Sequence, residues 1–67
     1  MNLQESFVKN LKALRAKKKL SQDRLAHAAG VSTSFCSMLE RGQREPSLGT
    51  IEALARALGV PARALLA

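Results

Sequence analysis

The feature that most constrains this sequence is a short joint around Gly30, between two segments with helical spacing of apolar residues. Ser21 can cap a helix before the joint, and Ser32 can cap a helix after it. Because only the residues AGVS connect them, the two helices must cross steeply. Ala26 is small enough for a close backbone approach, and Gly30 tolerates the positive φ of the turn. The angle is expected to enclose an apolar plug: Leu25, Val31, Cys36 and Leu39.

The rest of the 67-residue chain is also predicted to be helical, because apolar residues recur at helical intervals and no stretch alternates with period two. Pro46 prevents helix continuation in the loop GQREPS, after which Ser47 can cap a further helix that ends at Gly59. The helices are expected over about residues 4–18, 22–29, 33–41, 48–58 and 61–66. The predicted fold is one all-α domain over residues 1–67, a compact bundle of five short helices.

The charge balance indicates a polyanionic partner. The chain carries 11 Lys and Arg against 5 Asp and Glu, a net charge of +6. Such an excess is typical of chains that bind nucleic acid or a membrane surface. With two phenylalanines and no Trp or Tyr, the chain has few of the aromatic rings on which the bases of single strands stack. The composition therefore favours duplex DNA.

The sequence carries no pattern typical of an enzyme, a metal site or a membrane protein. His27 and Cys36 are the single histidine and the single cysteine, so no zinc-type cluster arises. No glycine-rich phosphate loop or paired carboxylates occur. No apolar stretch approaches the roughly 20 residues that cross a bilayer, and the N-terminus does not resemble a signal peptide. We expect a cytoplasmic protein that is not an enzyme, with no cofactor, metal, membrane or small-molecule partner.

The run QDRLAHAAGVSTSFCSMLERG, followed by EPSLGTIEALARALGV, resembles the Cro and phage-repressor (XRE) family of helix-turn-helix domains. The resemblance extends from about Leu11 to Leu65. Its most specific parts are Ser21-Gln22, Gly30-Val31-Ser32, Glu40-Arg41-Gly42 and Pro46-Ser47-Leu48. It implies a lambda-repressor-like fold and a transcriptional regulator that binds an operator in double-stranded DNA. In length the chain is similar to the controller proteins of restriction-modification systems.

One departure from the family pattern lies between the first two helices. Lys19 stands where the family often has glycine, so this turn is expected to be strained or to take another conformation.

Helical geometry sorts the residues of the third helix. At about 100° per residue, Ser32, Cys36 and Leu39 share one arc that must face the core. In helix-turn-helix docking, the N-terminal part of this helix meets base edges in the major groove. Hydroxyls there can donate or accept hydrogen bonds, and a methionine methyl can touch thymine. The base-reading candidates are therefore Thr33, Ser34, Ser37 and Met38. The alternative is a polar face that is merely solvated.

A second set of residues is expected to bind the DNA backbone. Gln22 starts the second helix, where its side-chain amide lies beside free backbone N–H groups. The resemblance implies that this glutamine and the residues just after the third helix bind phosphate. The latter are Arg41, Gln43 and Arg44. Such contacts position the protein without reading sequence.

An ion pair is expected between Arg15 and Glu40. Arg15 flanks the apolar stripe of the first helix, and Glu40 flanks the core arc of the third, so both lie at the edge of the core. The resemblance implies the same pairing.

A two-fold homodimer is predicted through the C-terminal end. The fifth helix, with Val60, Leu65 and Leu66, follows a four-helix core that is already closed, so two copies can bury these side chains together. The controller proteins that the chain resembles use their last helix similarly. Two copies would read half-sites about 34 Å apart. The alternative is that Leu65 and Leu66 fold back onto the chain's own core.

Two further functions stay open at this point. One is a protein-interaction module, such as the antitoxin partner of a toxin, because a basic face and Gln22 favour DNA without excluding a protein partner. The other is a nonspecific binder of DNA or a membrane surface. It fits less well, since the basic residues do not form one amphipathic basic helix.

Overall fold

Four α-helices and a C-terminal 3₁₀ helix follow one another in the computed structural model, which describes residues 2–67. The α-helices are α1 (Leu3–Lys17), α2 (Gln22–Ala29), α3 (Thr33–Glu40) and α4 (Leu48–Leu58). Each begins at a residue in extended backbone whose side chain accepts a hydrogen bond from a backbone N–H in the first turn. These residues are Asn2, Ser21, Ser32 and Ser47. The helices therefore begin where the sequence places polar caps.

A single apolar cluster fills the space between the helices. Its largest fully buried side chains are Phe7, Leu11, Leu25, Leu39, Leu54 and Leu65. α2 packs against both α3 and α4, while α1 packs against α3 and the 3₁₀ helix. α2 and α3 are thereby held in the bihelical arrangement that the sequence predicts. The predicted all-α class is confirmed.

The prediction of a fifth α-helix at the C-terminal end is wrong. Ala62–Leu65 forms a 3₁₀ helix of four residues, so the described residues contain four α-helices and not five. Pro61 lies in extended backbone before it and provides no side-chain cap. Asn10 of α1 holds this segment from outside, because its amide donates to the carbonyl oxygens of Leu65 at 3.1 Å and Ala67 at 2.9 Å. The segment is too short for regular α-helical hydrogen bonding and is tied to α1 instead.

The C-terminal segment also corrects the predicted dimer surface. Leu65 is 0% exposed, because it points into the chain's own core between α1 and α4. It therefore cannot contact a partner, and the alternative of folding back onto the core holds for this residue. Val60 and Leu66 pack against the core but remain half-buried. None of the helices among residues 2–67 is long and apolar enough to cross a membrane.

Candidate nucleic-acid interface

The turn between α2 and α3 fixes the geometry of the site. Gly30 has a left-handed backbone (φ 75°), and the N–H of Val31 donates to the carbonyl oxygen of Ala26 at 3.0 Å. A Cβ at Gly30 would meet no atom within 4 Å, so backbone conformation and not crowding favours glycine here. Ala26 is buried at 1% exposure where the two helices approach. The predicted plug is present, with Leu25, Cys36 and Leu39 buried and Val31 half-buried against them.

The four predicted base-reading residues lie along α3 with different exposure. Thr33 and Ser34, the first two residues of the helix, are exposed, whereas Ser37 and Met38 are half-buried. The N-terminal end of α3 thus presents two hydroxyl groups to the surroundings. Hydroxyls at this end of a recognition helix suit readout of base edges.

Asp23 of α2 joins this group through a contact that the sequence reasoning missed. The Thr33 hydroxyl donates to Oδ1 of Asp23 at 2.6 Å, and both residues are exposed. The nine residues between them include the whole turn, so no local pattern relates the two positions. The one available signal was an acidic residue in the first turn of α2, a common position near a positive helix end.

The predicted phosphate-binding residues after α3 form an exposed cationic segment. Arg41, Gln43 and Arg44 are all exposed. Gly42 has a positive φ of 73°, and the N–H of Gln43 donates to the carbonyl oxygen of Met38 at 2.9 Å. The guanidinium of Arg44 lies 5.5 Å from the ring centroid of Phe35, a distance typical of a cation–π contact. This segment therefore places two arginines and an amide at the C-terminal end of α3.

Gln22, the fourth predicted phosphate ligand, is half-buried and bonded to Glu40. Its side-chain amide donates to Oε1 of Glu40 at 3.0 Å. The predicted ion pair is also present, since Arg15 donates from Nε to Oε2 of Glu40 at 2.5 Å and from Nη2 to Oε1 at 3.0 Å. Nη1 of Arg15 donates to the carbonyl oxygen of Leu20 at 2.8 Å. We call Arg15, Gln22 and Glu40 the polar triad; it ties α1, α2 and α3 together.

The polar triad keeps Glu40 ionised despite burial. Glu40 is only 5% exposed, and burial by itself would raise the pKa of its carboxyl group. Hydrogen bonds from Arg15 and Gln22 outweigh burial and hold this pKa below the ordinary value. The hydrogen bond between Arg15 and Glu40 also raises the pKa of the Arg15 guanidinium. Sequence reasoning predicted the Arg15–Glu40 pair but not the glutamine that joins it.

The remaining chemically distinctive side chains do not form a second site. Cys36 is fully buried, and burial raises the pKa of its thiol, so it packs as a small apolar residue. His27 is exposed on α2. No group of three or more His, Cys, Asp or Glu side chains in the described part of the chain can hold a metal ion.

Two short helices that pack together across a tight turn, with exposed hydroxyls at the start of the second helix and exposed arginines after it, define a helix-turn-helix DNA-binding domain. The chain belongs to the Cro and phage-repressor type of this class, since residues 11–65 match the family described as Helix-turn-helix. The family resemblance in the sequence is thereby confirmed.

Several proteins of this family are similar to the chain. The immunity repressor protein of Bacillus phage phi105 is 43% identical over 84% of this chain and 39% of its own length. The control protein C.BamHI of Bacillus amyloliquefaciens is 35% identical over 97% of this chain and 82% of its own length. The crystal structure of the restriction-modification controller protein C.AhdI from Aeromonas hydrophila has a TM-score of 0.87 and 43% identity, covering 90% of this chain and 91% of C.AhdI.

The coverage differs between these relatives. The chain spans less than half the length of the phage repressor and of the transcriptional repressor RghR of Bacillus subtilis, 39% and 47% respectively. It therefore matches one region of those longer repressors, whereas it matches most of each controller protein.

Proposed function

We propose that this chain regulates transcription in the cytoplasm by binding a specific operator in double-stranded DNA, with the N-terminal end of α3 in the major groove. One observation carries the proposal: the exposed hydroxyls of Thr33 and Ser34 begin a helix whose other end adjoins the exposed cations Arg41 and Arg44. Hydroxyls suit base edges, and cations suit phosphates. The similarity to a phage repressor and to two controller proteins supports this role.

The polar triad gives Gln22 a defined part in this proposal. A glutamine amide has two N–H donors, and one of them is bonded to Glu40. The second N–H remains to donate to a phosphate oxygen, beside the unpaired backbone N–H groups in the first turn of α2. Glu40 would thus hold Gln22 in place for the DNA backbone while it pairs with Arg15.

A contrast between one base-reading and one phosphate-binding variant tests the proposal. Duplexes selected from a random pool supply the operator, and fluorescence anisotropy measures affinity for it and for random DNA at several salt concentrations. Ser34→Ala should weaken operator binding by about 1–3 kcal/mol and leave random-DNA binding nearly unchanged. Arg44→Ala should weaken both and reduce the salt slope of log K by about 1. Equal losses on both duplexes for Ser34→Ala would remove α3 from the reading position.

We also infer that the functional unit is a homodimer, formed through an apolar groove between α1 and α4. Among residues 2–67, the large apolar side chains that remain exposed are those of Leu3 and Leu48, at 68% and 80% respectively. Both line this groove, together with Phe7, Pro46, Ile51 and Leu66. Leu66 retains the dimer role expected from the sequence, whereas the buried Leu65 does not.

A second copy of the chain is the occupant that suits this groove. Among residues 2–67, Glu45 is the one charged residue that lines the groove, so the groove lacks the positive charge that binds the phosphate backbone of DNA. A two-fold dimer brings the same groove from each copy to a shared axis and buries both sets of leucines. It also gives a short recognition helix two half-sites to read.

A further inference from the structure

The hydrogen bond between the side chains of Thr33 and Asp23 lies where α3 would enter the major groove. It joins the first residue of α3 to the first turn of α2 at 2.6 Å, with both side chains exposed. A carboxylate carries no proton, so the hydroxyl of Thr33 must be the donor. The Thr33 proton is therefore directed at the protein and away from DNA.

The direction of this bond limits what Thr33 can recognise. A hydroxyl has one donor and two acceptor positions, so only acceptor lone pairs of Thr33 remain. The second oxygen of Asp23 is also an acceptor only. In the major groove the hydrogen-bond donors are the amino groups of cytosine and adenine, whereas guanine and thymine offer acceptors. Thr33 and Asp23 together can satisfy an amino group and would repel an acceptor edge.

We propose that Asp23 is a specificity-determining residue, which orients the Thr33 hydroxyl to accept a hydrogen bond from the amino group of cytosine or adenine. The proposal rests on the proposed function, because it requires α3 to lie in the major groove. The role of Asp23 adds to that function a preference for one orientation of one base pair in each half-site. Reversing that pair, for example from C·G to G·C, places guanine O6 and N7 where the amino group was.

A purely structural role for Asp23 makes a different prediction. An acidic residue in the first turn stabilises a helix through its dipole, and a negative charge near DNA weakens binding to every duplex alike. Neither effect depends on the orientation of one base pair. The base preference of variants therefore separates the two roles.

The test uses the operator selected by the wild-type chain and a set of duplexes in which each base pair is reversed in turn. Reversal of one pair should weaken wild-type binding about five- to tenfold, the size of one hydrogen bond gained or lost. Asp23→Ala and Thr33→Val should each abolish this preference at the same pair. The double variant should lose no more than either single variant, since both act through one bond.

Glu52→Ala is the matched control, because it removes an exposed carboxylate from α4 and leaves α3 untouched. It should leave every base preference unchanged. If Asp23→Ala changes affinity for all duplexes by one factor, or if the two variants act at different base pairs, the proposal is overturned. A wild-type chain that selects no common sequence would overturn the proposed function itself, whereas a selected operator with unaltered preferences in both variants would overturn only the role of Asp23.

Discussion

Glu40 is a buried carboxylate whose hydrogen-bond donors come from two other helices. Arg15 on α1 and Gln22 on α2 both donate to it, and the Arg15 side chain retains 23% exposure against 4% for Glu40. A buried charge in such a triad stabilises the fold only while its partners are in place, because an unpaired buried charge is costly. The carboxylate also positions Gln22, which we propose as a phosphate ligand. Under the proposed function, stability and DNA binding are coupled at this residue.

Glu40→Gln should destabilise the fold by about 3 kcal/mol at neutral pH, because it leaves the guanidinium of Arg15 without its charge partner. Urea unfolding measures the loss, and Glu52→Gln, at an exposed position on α4, should change stability by less than about 0.5 kcal/mol. A loss below about 1 kcal/mol for Glu40→Gln would mean that the pair behaves as an exposed one.

The pH dependence of the same variant has a defined sign. The pKa of Glu40 is lowered in the folded chain, so its contribution to stability is fully present above the ordinary glutamate pKa of about 4.3. This contribution is lost as pH falls through the lower folded-state pKa, because the unfolded chain then binds the proton more readily. Acidification should therefore destabilise wild type more than Glu40→Gln, which lacks the titrating carboxyl group.

At the scale of elements, the turn between α1 and α2 carries an unfavourable backbone conformation. Lys19 has a φ of 58°, a region that favours glycine, and among residues 2–67 it alone adopts positive φ without being glycine. The N–H of Leu20 donates to the carbonyl oxygen of Arg15 at 3.1 Å, and the N–H of Lys19 donates to that of Ala16 at 3.0 Å. This is the hydrogen-bond pattern that ends many helices with a glycine. The sequence predicts that this turn is either strained or takes another conformation, and the positive φ of Lys19 shows that it is strained.

Lys19→Gly should stabilise the chain by about 0.5 kcal/mol. Removing the steric strain of a left-handed residue that has a Cβ stabilises the fold by roughly 1–2 kcal/mol. The greater conformational freedom of glycine in the unfolded chain offsets about 0.5–1 kcal/mol of this gain. Lys18→Gly is the matched control, because Lys18 has a right-handed helical backbone (φ −83°, ψ −1°) and its replacement should destabilise. Thermal unfolding of the two variants compares them directly. A lower melting temperature for Lys19→Gly than for wild type would show that the turn is not strained.

At the scale of the whole molecule, the candidate DNA-binding surface and the apolar groove are built from different parts of the chain. The first consists of the N-terminal ends of α2 and α3 and the segment after α3, and the second lies between α1, α4 and Leu66. A core of this size leaves apolar side chains such as Leu48 uncovered, and an exposed apolar cluster of this kind marks an interaction surface. The two proposed surfaces can thus be altered by separate substitutions.

Leu48→Asp should convert the proposed dimer to a monomer without unfolding the chain. Leu48 is 80% exposed and is the first residue of α4, where an acidic side chain complements the helix dipole. Sedimentation should show a dimer for wild type and a monomer for the variant, with unchanged helical content and a large loss of operator affinity. Leu65→Ala should instead destabilise the fold by about 2–5 kcal/mol, because Leu65 fills the core. A wild-type chain that stays monomeric at high concentration, with and without DNA, would contradict the dimer.

The sequence by itself determined the local features of this protein. Ser21, Ser32 and Ser47 begin helices, and Gly30 and Gly59 end them in left-handed conformations, as the spacing predicts. These outcomes depend on residues within one helical turn, so the pattern of caps and apolar positions is sufficient to predict them. The Arg15–Glu40 pair was also predictable, because both residues flank apolar stripes that must face one core.

The tertiary structure alone decided the other contacts between distant polar residues. Gln22 reaches Glu40 across 18 positions, Asp23 reaches Thr33 across ten, and Asn10 holds the carbonyl of Leu65 across 55. It also decided that Leu65 points inward while Leu48 remains exposed. Helix periodicity identifies the apolar face of a helix but not the angle at which that face meets another, nor the direction in which a short terminal segment returns. Those two quantities arise only when all the helices pack together, and they determine which polar atoms come within hydrogen-bond distance.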